Sequence, residues 1–329
     1  MLSGQRWARW MRLLVPFALI AMAAAQARAQ TEAPSPPDPT TTITVTARIV
    51  ALDALVHTRD GTLVTDLNQQ DFSLKVDGHA QPIRYFNRDQ DLPLTVGLLF
   101  DTSESQHPYF DDEALAGSIF LRDVLTHPDD RAFLLSFDTN VFLLQPFTHA
   151  LPALNNGLRL LGYRANALSA GAQQTHLYDA ILHTCTDVLA ADPARGSSGR
   201  RAILVLTDGF DVGSRARLED AVHAAQQANI AVYSILYTRE MATYPHVPGL
   251  PSGIEAMRTI SEQTGGREFV VEEGVRISDI FGTIAQELRS QYRFGFTPPE
   301  SKPGKFHRIE LKTADPRLVA RSRAGYFEK

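Results

Sequence analysis

The chain has one cysteine, two tryptophans and no apolar run of the roughly 20 residues that a bilayer-spanning helix needs. Cys185 alone cannot form an intrachain disulfide. Its place in an apolar helical pattern marks it as a small core residue rather than a nucleophile. No cysteine stands near residue 29, so a lipid anchor has nothing to attach to. There is no basic excess either: 32 Lys and Arg face 37 Asp and Glu, for a formal charge of −5. Such a chain repels nucleic-acid phosphates unless it concentrates a basic face, and the sequence shows none. Neither G-x-x-x-x-G-K-[ST] nor a strand-linked G-x-G-x-x-G occurs, which argues against nucleotide-cofactor chemistry. The G-x-S-x-G elbow of serine hydrolases is missing, and the ten histidines never take the H-E-x-x-H zinc spacing.

What is there begins with an export signal. Arg6, Arg9 and Arg12 precede an apolar run from Leu13 to Ala25, and Ala27-Arg28-Ala29 offers small residues for cleavage. The expectation is a signal peptide over 1–29, a secreted or periplasmic (cell-envelope) location, and no stable membrane span after cleavage. Removing those residues deletes four arginines (Arg6, Arg9, Arg12, Arg28) and no acids, taking the charge from −5 to −9. Residues 30–42 (QTEAPSPPDPTTT) are proline-rich and nearly free of apolar side chains, which predicts an extended linker.

Residues 43–91 then read as strands around Asp60-Gly61 and Asp77-Gly78 turns, and 291–329 have the same character. Between them, over 92–290, apolar strands alternate with amphipathic helices. That alternation predicts an α/β fold, a doubly wound and mostly parallel sheet covered on both faces. Leu94–Phe100 and Ala202–Leu206 are its most apolar strands, and Val141–Gln145 is expected to return antiparallel at an edge. Helices are expected at about 112–125, 151–161, 177–189, 217–229, 253–263 and 277–289. Each flank alone buries too little to be stable, so the two are expected to pair into one small β-sandwich-like domain with the α/β domain inserted. In open doubly wound sheets ligands bind beyond the C-terminal ends of the strands, where strand order reverses. The loops after Phe100 and Leu206 are therefore the places to look.

Directly after the first core strand comes Asp101-Thr102-Ser103-Glu104-Ser105, a D-x-S-x-S pattern. The aspartate supplies negative charge and the two hydroxyls can face one point, a donor set suited to a hard cation such as Mg²⁺. By itself the pattern also fits ordinary turns and caps. QQTHLYDA (173–180) adds Thr175 ahead of a helix, and LTDGFD (206–211) adds Asp208 at the end of the second apolar strand. In order and spacing the three segments resemble the metal-ion-dependent adhesion site of von Willebrand factor A (vWA) domains, a likeness covering roughly 92–290. The resemblance implies that Asp101, Ser103, Ser105, Thr175 and Asp208 hold one Mg²⁺, with Mn²⁺ or Ca²⁺ as alternatives. It further implies a protein partner that completes the shell with an Asp or Glu carboxylate, and hence adhesion or assembly rather than catalysis. Gln173-Gln174 stand where the family commonly has glycines. More loosely, DLNQQDFSLKVDGHAQPIRYF, QYRFGFT and RAGYF look like the flanks of exported bacterial VWFA-related proteins.

Only two of the five positions are carboxylates and three are neutral hydroxyls, so a bound divalent ion would keep a vacant or water-filled position that an external acid could take. A metal-dependent hydrolase is the main rival. An aspartyl-nucleophile phosphatase would show D-x-D, whereas the third residue here is Ser103. A metal-independent scaffold is the other rival. Glu104 reads as a solvated loop acid, His176 and His183 as surface or packing residues, and Asp211 as either an outer partner of the ion or a loop acid.

Overall fold

Apolar runs without alternation must be covered on both faces, and the two such runs become neighbouring central strands. A computed structural model describes residues 48–88, 92–168, 174–192, 199–237 and 252–328. The export signal, the linker and Gln173 lie outside the described residues. The strands are β1 (Val50–Thr58), β2 (Phe72–Val76), β3 (His79–Ala80), β4 (Tyr85–Asn87), β5 (Leu94–Asp101), β6 (Arg131–Phe137), β7 (Val141–Thr148), β8 (Arg200–Thr207), β9 (Ala231–Tyr237), β10 (Glu268–Val271), β11 (Tyr292–Phe296), β12 (Phe306–Thr313), β13 (Leu318–Ser322) and β14 (Gly325–Phe327). The helices are α1 (Phe110–Val124), α2 (Leu151–Leu168), α3 (Leu177–His183), α4 (Leu218–Ala228), α5 (Gly253–Thr264) and α6 (Ile277–Arg289).

Six strands form one sheet in the order β10-β9-β8-β5-β6-β7, parallel except for β7, which runs antiparallel to β6. The chain builds outward from β5 through β6 and β7, then returns to the other side of β5 with β8. Strand order therefore reverses between β5 and β8. Side chains alternate across β5. Val96, Leu98 and Phe100 pack with α1, α2 and α6, whereas Leu99 packs with α3, α4 and α5. This is the doubly wound α/β layer, closed at one edge by an antiparallel strand.

Two smaller sheets complete the fold, β13-β1-β11-β4 and β14-β12-β2-β3. The N-terminal strand β1 lies between the C-terminal strands β11 and β13, and β2 pairs with β12. Their inner faces meet with a period of two: Leu52, Ala54, Val56, Tyr292, Phe294 and Phe296 from one sheet, Phe72, Leu74, Val76, Ile309, Leu311 and Tyr326 from the other. Phe72 sits at the centre, with ring centroids 4.8 Å from Phe294 and 5.2 Å from Tyr292. All the described residues fall within one compact unit. The chain enters the doubly wound layer at residues 92–94 and leaves it at 289–292. Arg289 clasps both crossings: its guanidinium donates to Leu92 O at 3.1 Å and Val124 O at 2.6 Å, and pairs with the buried Asp130.

The third expected helix is shorter than its apolar pattern. α3 ends at His183 and a π-turn follows over Thr184–Val188, where the Thr184 hydroxyl donates to Ala180 O at 2.7 Å. β7 runs past Gln145 to Thr148, with irregular register against β6. No helix among the described residues is long and apolar enough to cross a membrane.

Candidate functional site

β5 and β8 are adjacent and parallel, with Phe100 opposite Leu206, so the residues that follow them emerge side by side. Asp101 is the last residue of β5 and Asp208 the first after β8. Both are buried, at 0% and 3% exposure. Asp101 fixes the loop it starts: Oδ1 accepts the Ser103 N–H at 2.9 Å, and Oδ2 accepts the Thr207 hydroxyl at 2.6 Å. Asp208 acts likewise, with Oδ1 accepting the Phe210 N–H at 3.1 Å and Oδ2 accepting the Ser105 hydroxyl at 2.7 Å. The hydroxyls of Ser103 and Ser105 are 3.2 Å apart. Two loops separated by a hundred residues of sequence thus converge on one cluster of oxygens.

Gly209 makes that convergence possible. Its φ of +84° suits glycine, and an added Cβ would come within 2.7 Å of Gly253 O at the start of α5. The third loop joins through its backbone. Thr175 and Val212 exchange hydrogen bonds, Thr175 N to Val212 O at 3.1 Å and Val212 N to Thr175 O at 2.8 Å. His176 N donates to Asp138 O at 2.9 Å, and the Thr102 hydroxyl donates to Asp138 Oδ2 at 3.3 Å, so the turn after β6 ties the Asp101 loop to the Thr175 loop. The structure therefore links Asp101, Ser103, Ser105 and Asp208 through side-chain bonds and charge. Thr175, also buried, joins the loop after β8 through its main-chain bonds with Val212.

The electrostatics of this cleft are one-sided. Burial, then the charge of Asp208, pushes the Asp101 carboxyl up to about 7, and burial also raises Asp208. Glu113, on the buried face of α1, is held well above the usual carboxylate range, first by burial and then by Asp101. The Tyr237 hydroxyl partly offsets the rise at Glu113, while Oε1 of the buried Gln106, whose amide helps hold the Asp208 pKa down, has no hydrogen-bond partner. Three carboxyls and an orphaned amide oxygen, all buried, make an environment that a cation would relieve. Every donor is oxygen, which suits Mg²⁺, Mn²⁺ or Ca²⁺ better than a metal preferring nitrogen or sulfur. The residues present fit a hard divalent ion.

Thr207, Gln106 and Glu113 escaped the sequence reading. Glu113 carried a usable signal, because it falls in register with Phe110, Phe120 and Val124 on the apolar stripe of α1. Asp211 is a local anchor, accepting the Tyr178 N–H at 3.0 Å at the start of α3. Glu104 is exposed. His183 pairs with Asp187 on the surface. Cys185 is buried, and burial pushes its thiol up to about 12, far from a reactive thiolate.

No family model matches the sequence, and no curated protein matches it. Solved structures to which the chain is similar include the conserved hypothetical protein BatB from Bacteroides thetaiotaomicron, 16% identical, covering 59% of this chain and 97% of that one, with a TM-score of 0.44. Another is proximal thread matrix protein 1 from the mussel byssus, with a zinc-occupied MIDAS motif, 12% identical, covering 66% and 50%, with a TM-score of 0.46. A third is the vWF domain of the type V pili tip protein Mfa5 from Porphyromonas gingivalis, 13% identical, covering 60% and 95%, with a TM-score of 0.43. The chain spans about half the length of the mussel protein. At these scores the fold rests on its own strand order rather than on the likenesses.

Proposed function

We propose that this chain is an extracytoplasmic binding module of the vWA kind. In this reading Asp101, Ser103, Ser105, Thr175 and Asp208 hold one divalent cation and, through it, a carboxylate on a protein partner. The observation that carries the reading is the 2.7 Å bond from Ser105 to Asp208, because it brings the D-x-S-x-S loop and the loop after β8 to one point. Two carboxylates at most neutralise a bound divalent ion, and with three neutral hydroxyls completing the set the ion keeps a coordination position for an external carboxylate. The chain's own contribution is orientation. Asp101 is locked by Ser103 N–H and the Thr207 hydroxyl, and Asp208 by Phe210 N–H, so the oxygens are in place before an ion or an acid arrives.

Mg²⁺ is the first candidate ion, with Mn²⁺ or Ca²⁺ as substitutes. Adhesion or assembly is favoured over hydrolysis, because Ser103 stands where an aspartyl-nucleophile phosphatase has its second aspartate. Within the same proposal, residues 1–29 are an export signal that places the protein in the periplasm or outside the cell. Residues 92–290 are then a vWA domain inserted into a β domain made of 43–91 and 291–329.

Calorimetric titration of Mg²⁺ or Mn²⁺ into metal-free protein tests the metal set, with saturable 1:1 binding expected for the wild type and at least a tenfold loss for Asp208→Asn. A pull-down from envelope extract tests the partner: capture in Mg²⁺, none in chelator, and none by Ser105→Ala. Equal capture in chelator would refute the adhesive reading. Limited proteolysis tests the domain division, with cuts expected near residues 90 and 290.

A further inference from the structure

In the two smaller sheets, three side chains far apart in sequence form a line of hydrogen bonds. Asp77 begins the turn after β2, His307 is the second residue of β12, and Ser301 lies on the segment between β11 and β12. Ser301 Oγ is 2.7 Å from His307 Nε2, and His307 Nδ1 is 2.8 Å from Asp77 Oδ2. A carboxylate can only accept, so in the neutral ring the proton sits on Nδ1 and Nε2 turns its lone pair to the Ser301 hydroxyl. Serine, histidine and aspartate thus meet in the order that makes a serine hydroxyl nucleophilic.

Neighbouring groups hold the three in place. His307 is 1% exposed, and its ring stacks on Tyr326 with centroids 5.2 Å apart and an interplanar angle of 18°. Asp77 Oδ1 accepts the Arg308 N–H at 2.9 Å, and Lys305 Nζ lies 4.0 Å from Oδ2. Burial opposes the ionisation of Asp77, but the Arg308 N–H, His307 and Lys305 together hold its carboxyl below the usual carboxylate range. Ser301 is partly exposed. Its other contact is longer, to Glu328 Oε2 at 3.5 Å, and that carboxylate pairs with Arg48. A cavity of about 260 Å³ adjoins the group, with Tyr326 and Glu328 in its wall beside Ile49 and Pro298. At roughly 30 Å³ per water-sized group, it has room for a short acyl chain rather than a long one.

We propose that Ser301 is a nucleophile that cleaves small carboxylic esters, with His307 as its base and Asp77 as the positioning residue behind the ring. Ser301 Oγ bonds to the ester carbonyl carbon as its proton passes to His307 Nε2. The bond from that carbon to the ester oxygen then breaks, and the alcohol leaves with the proton from Nε2. Water repeats the two steps on the acyl-serine, releasing the carboxylic acid and restoring Ser301. The reaction needs neither the cation nor the partner of the cleft.

The test is labelling of the full chain with a fluorophosphonate, together with turnover of p-nitrophenyl butyrate, both in chelator so that the cleft contributes nothing. Peptide mass spectrometry should place the label on Ser301, and Ser301→Ala should lose both the label and the release of nitrophenolate. Asp77→Asn separates activation from structure. Asp77 has a φ of +51°, which asparagine also adopts, and the new side-chain carbonyl can still accept the Arg308 N–H. Its amide then faces Nδ1, which moves the ring proton to Nε2 and removes the base. The labelling rate should fall by about a hundredfold or more with an unchanged circular dichroism spectrum. Absence of label on Ser301 in the wild type would overturn the proposal, as would equal labelling rates in the wild type and Asp77→Asn. Nitrophenolate release undiminished in Ser301→Ala would do the same.

Discussion

Asp101→Asn should stabilise the metal-free protein at alkaline pH, although it removes a residue at the heart of the cleft. A carboxyl whose folded pKa is raised costs nothing below its unfolded value. The penalty grows as pH climbs through the gap, and is complete above the folded pKa. For Asp101 the gap runs from 3.8 to about 7. At about 1.36 kcal/mol per unit, the fully developed penalty at pH 8 is about 4 kcal/mol. Asparagine keeps the acceptor for Ser103 N–H but turns an amide toward Thr207, which loses one hydrogen bond and costs about 1–2 kcal/mol. The net gain at pH 8 is then about 2–3 kcal/mol, falling to about zero at pH 5, where less than half of the wild-type penalty has developed. Urea denaturation of both proteins in metal-free buffer at the two pH values measures it. Saturating Mg²⁺ should reverse the order at pH 8, because only the wild type binds the ion tightly and gains stability by mass action. If Asp101→Asn destabilises the metal-free protein equally at pH 5 and pH 8, the electrostatic reasoning fails.

Other substitutions probe the frame around the cleft. Gly209→Ala forces a side chain into positive φ and against Gly253 O, and should cost about 1–3 kcal/mol in thermal unfolding while lowering Mg²⁺ affinity. Tyr292→Phe removes a hydroxyl that donates to Val64 O at 2.9 Å and accepts Leu67 N–H at 3.1 Å, so urea unfolding should show a loss of about 1–2 kcal/mol with the cleft untouched. Arg293→Met leaves Asp53 without its guanidinium and should cost about 3 kcal/mol, more than truncating an exposed pair such as Arg217 and Asp220. Comparable losses at the two pairs would show that burial is not what gives the first its weight.

Much of the doubly wound layer was legible because its chemistry is local. LTVGLLF and AILVL cannot be half-exposed strands, and an aspartate closing each run at a topological switch must meet its counterpart. The π-turn after α3 was not legible, because nothing in the regular apolar pattern marks Thr184 as the place where the helix widens. Glu113 was hidden for another reason. An acid in the first turn of a helix ordinarily serves the helix dipole in water, and only the packing of α1 against the sheet turns this one inward. Thr207 carries no sequence signal beyond its place between an apolar run and Asp208, yet its hydroxyl stands between the two loops, donating to Asp101 and accepting Gly209 N–H.

The clasp formed by Arg289 gives the molecule a mechanical division of labour. Because β1 is hydrogen-bonded directly to β11 and β13, tension applied between the two ends of the described chain is borne by those ladders and by the hydrophobic seam beneath them. The inserted α/β layer meets those sheets at the two crossings pinned by Arg289 and along α4 and α5, where Arg323 donates to Gln226 O at 3.3 Å and Ala324 N to Gln263 O at 3.0 Å, all at the end of its sheet away from the cleft. Pulling on the termini therefore leaves the acid-lined end of its sheet unloaded.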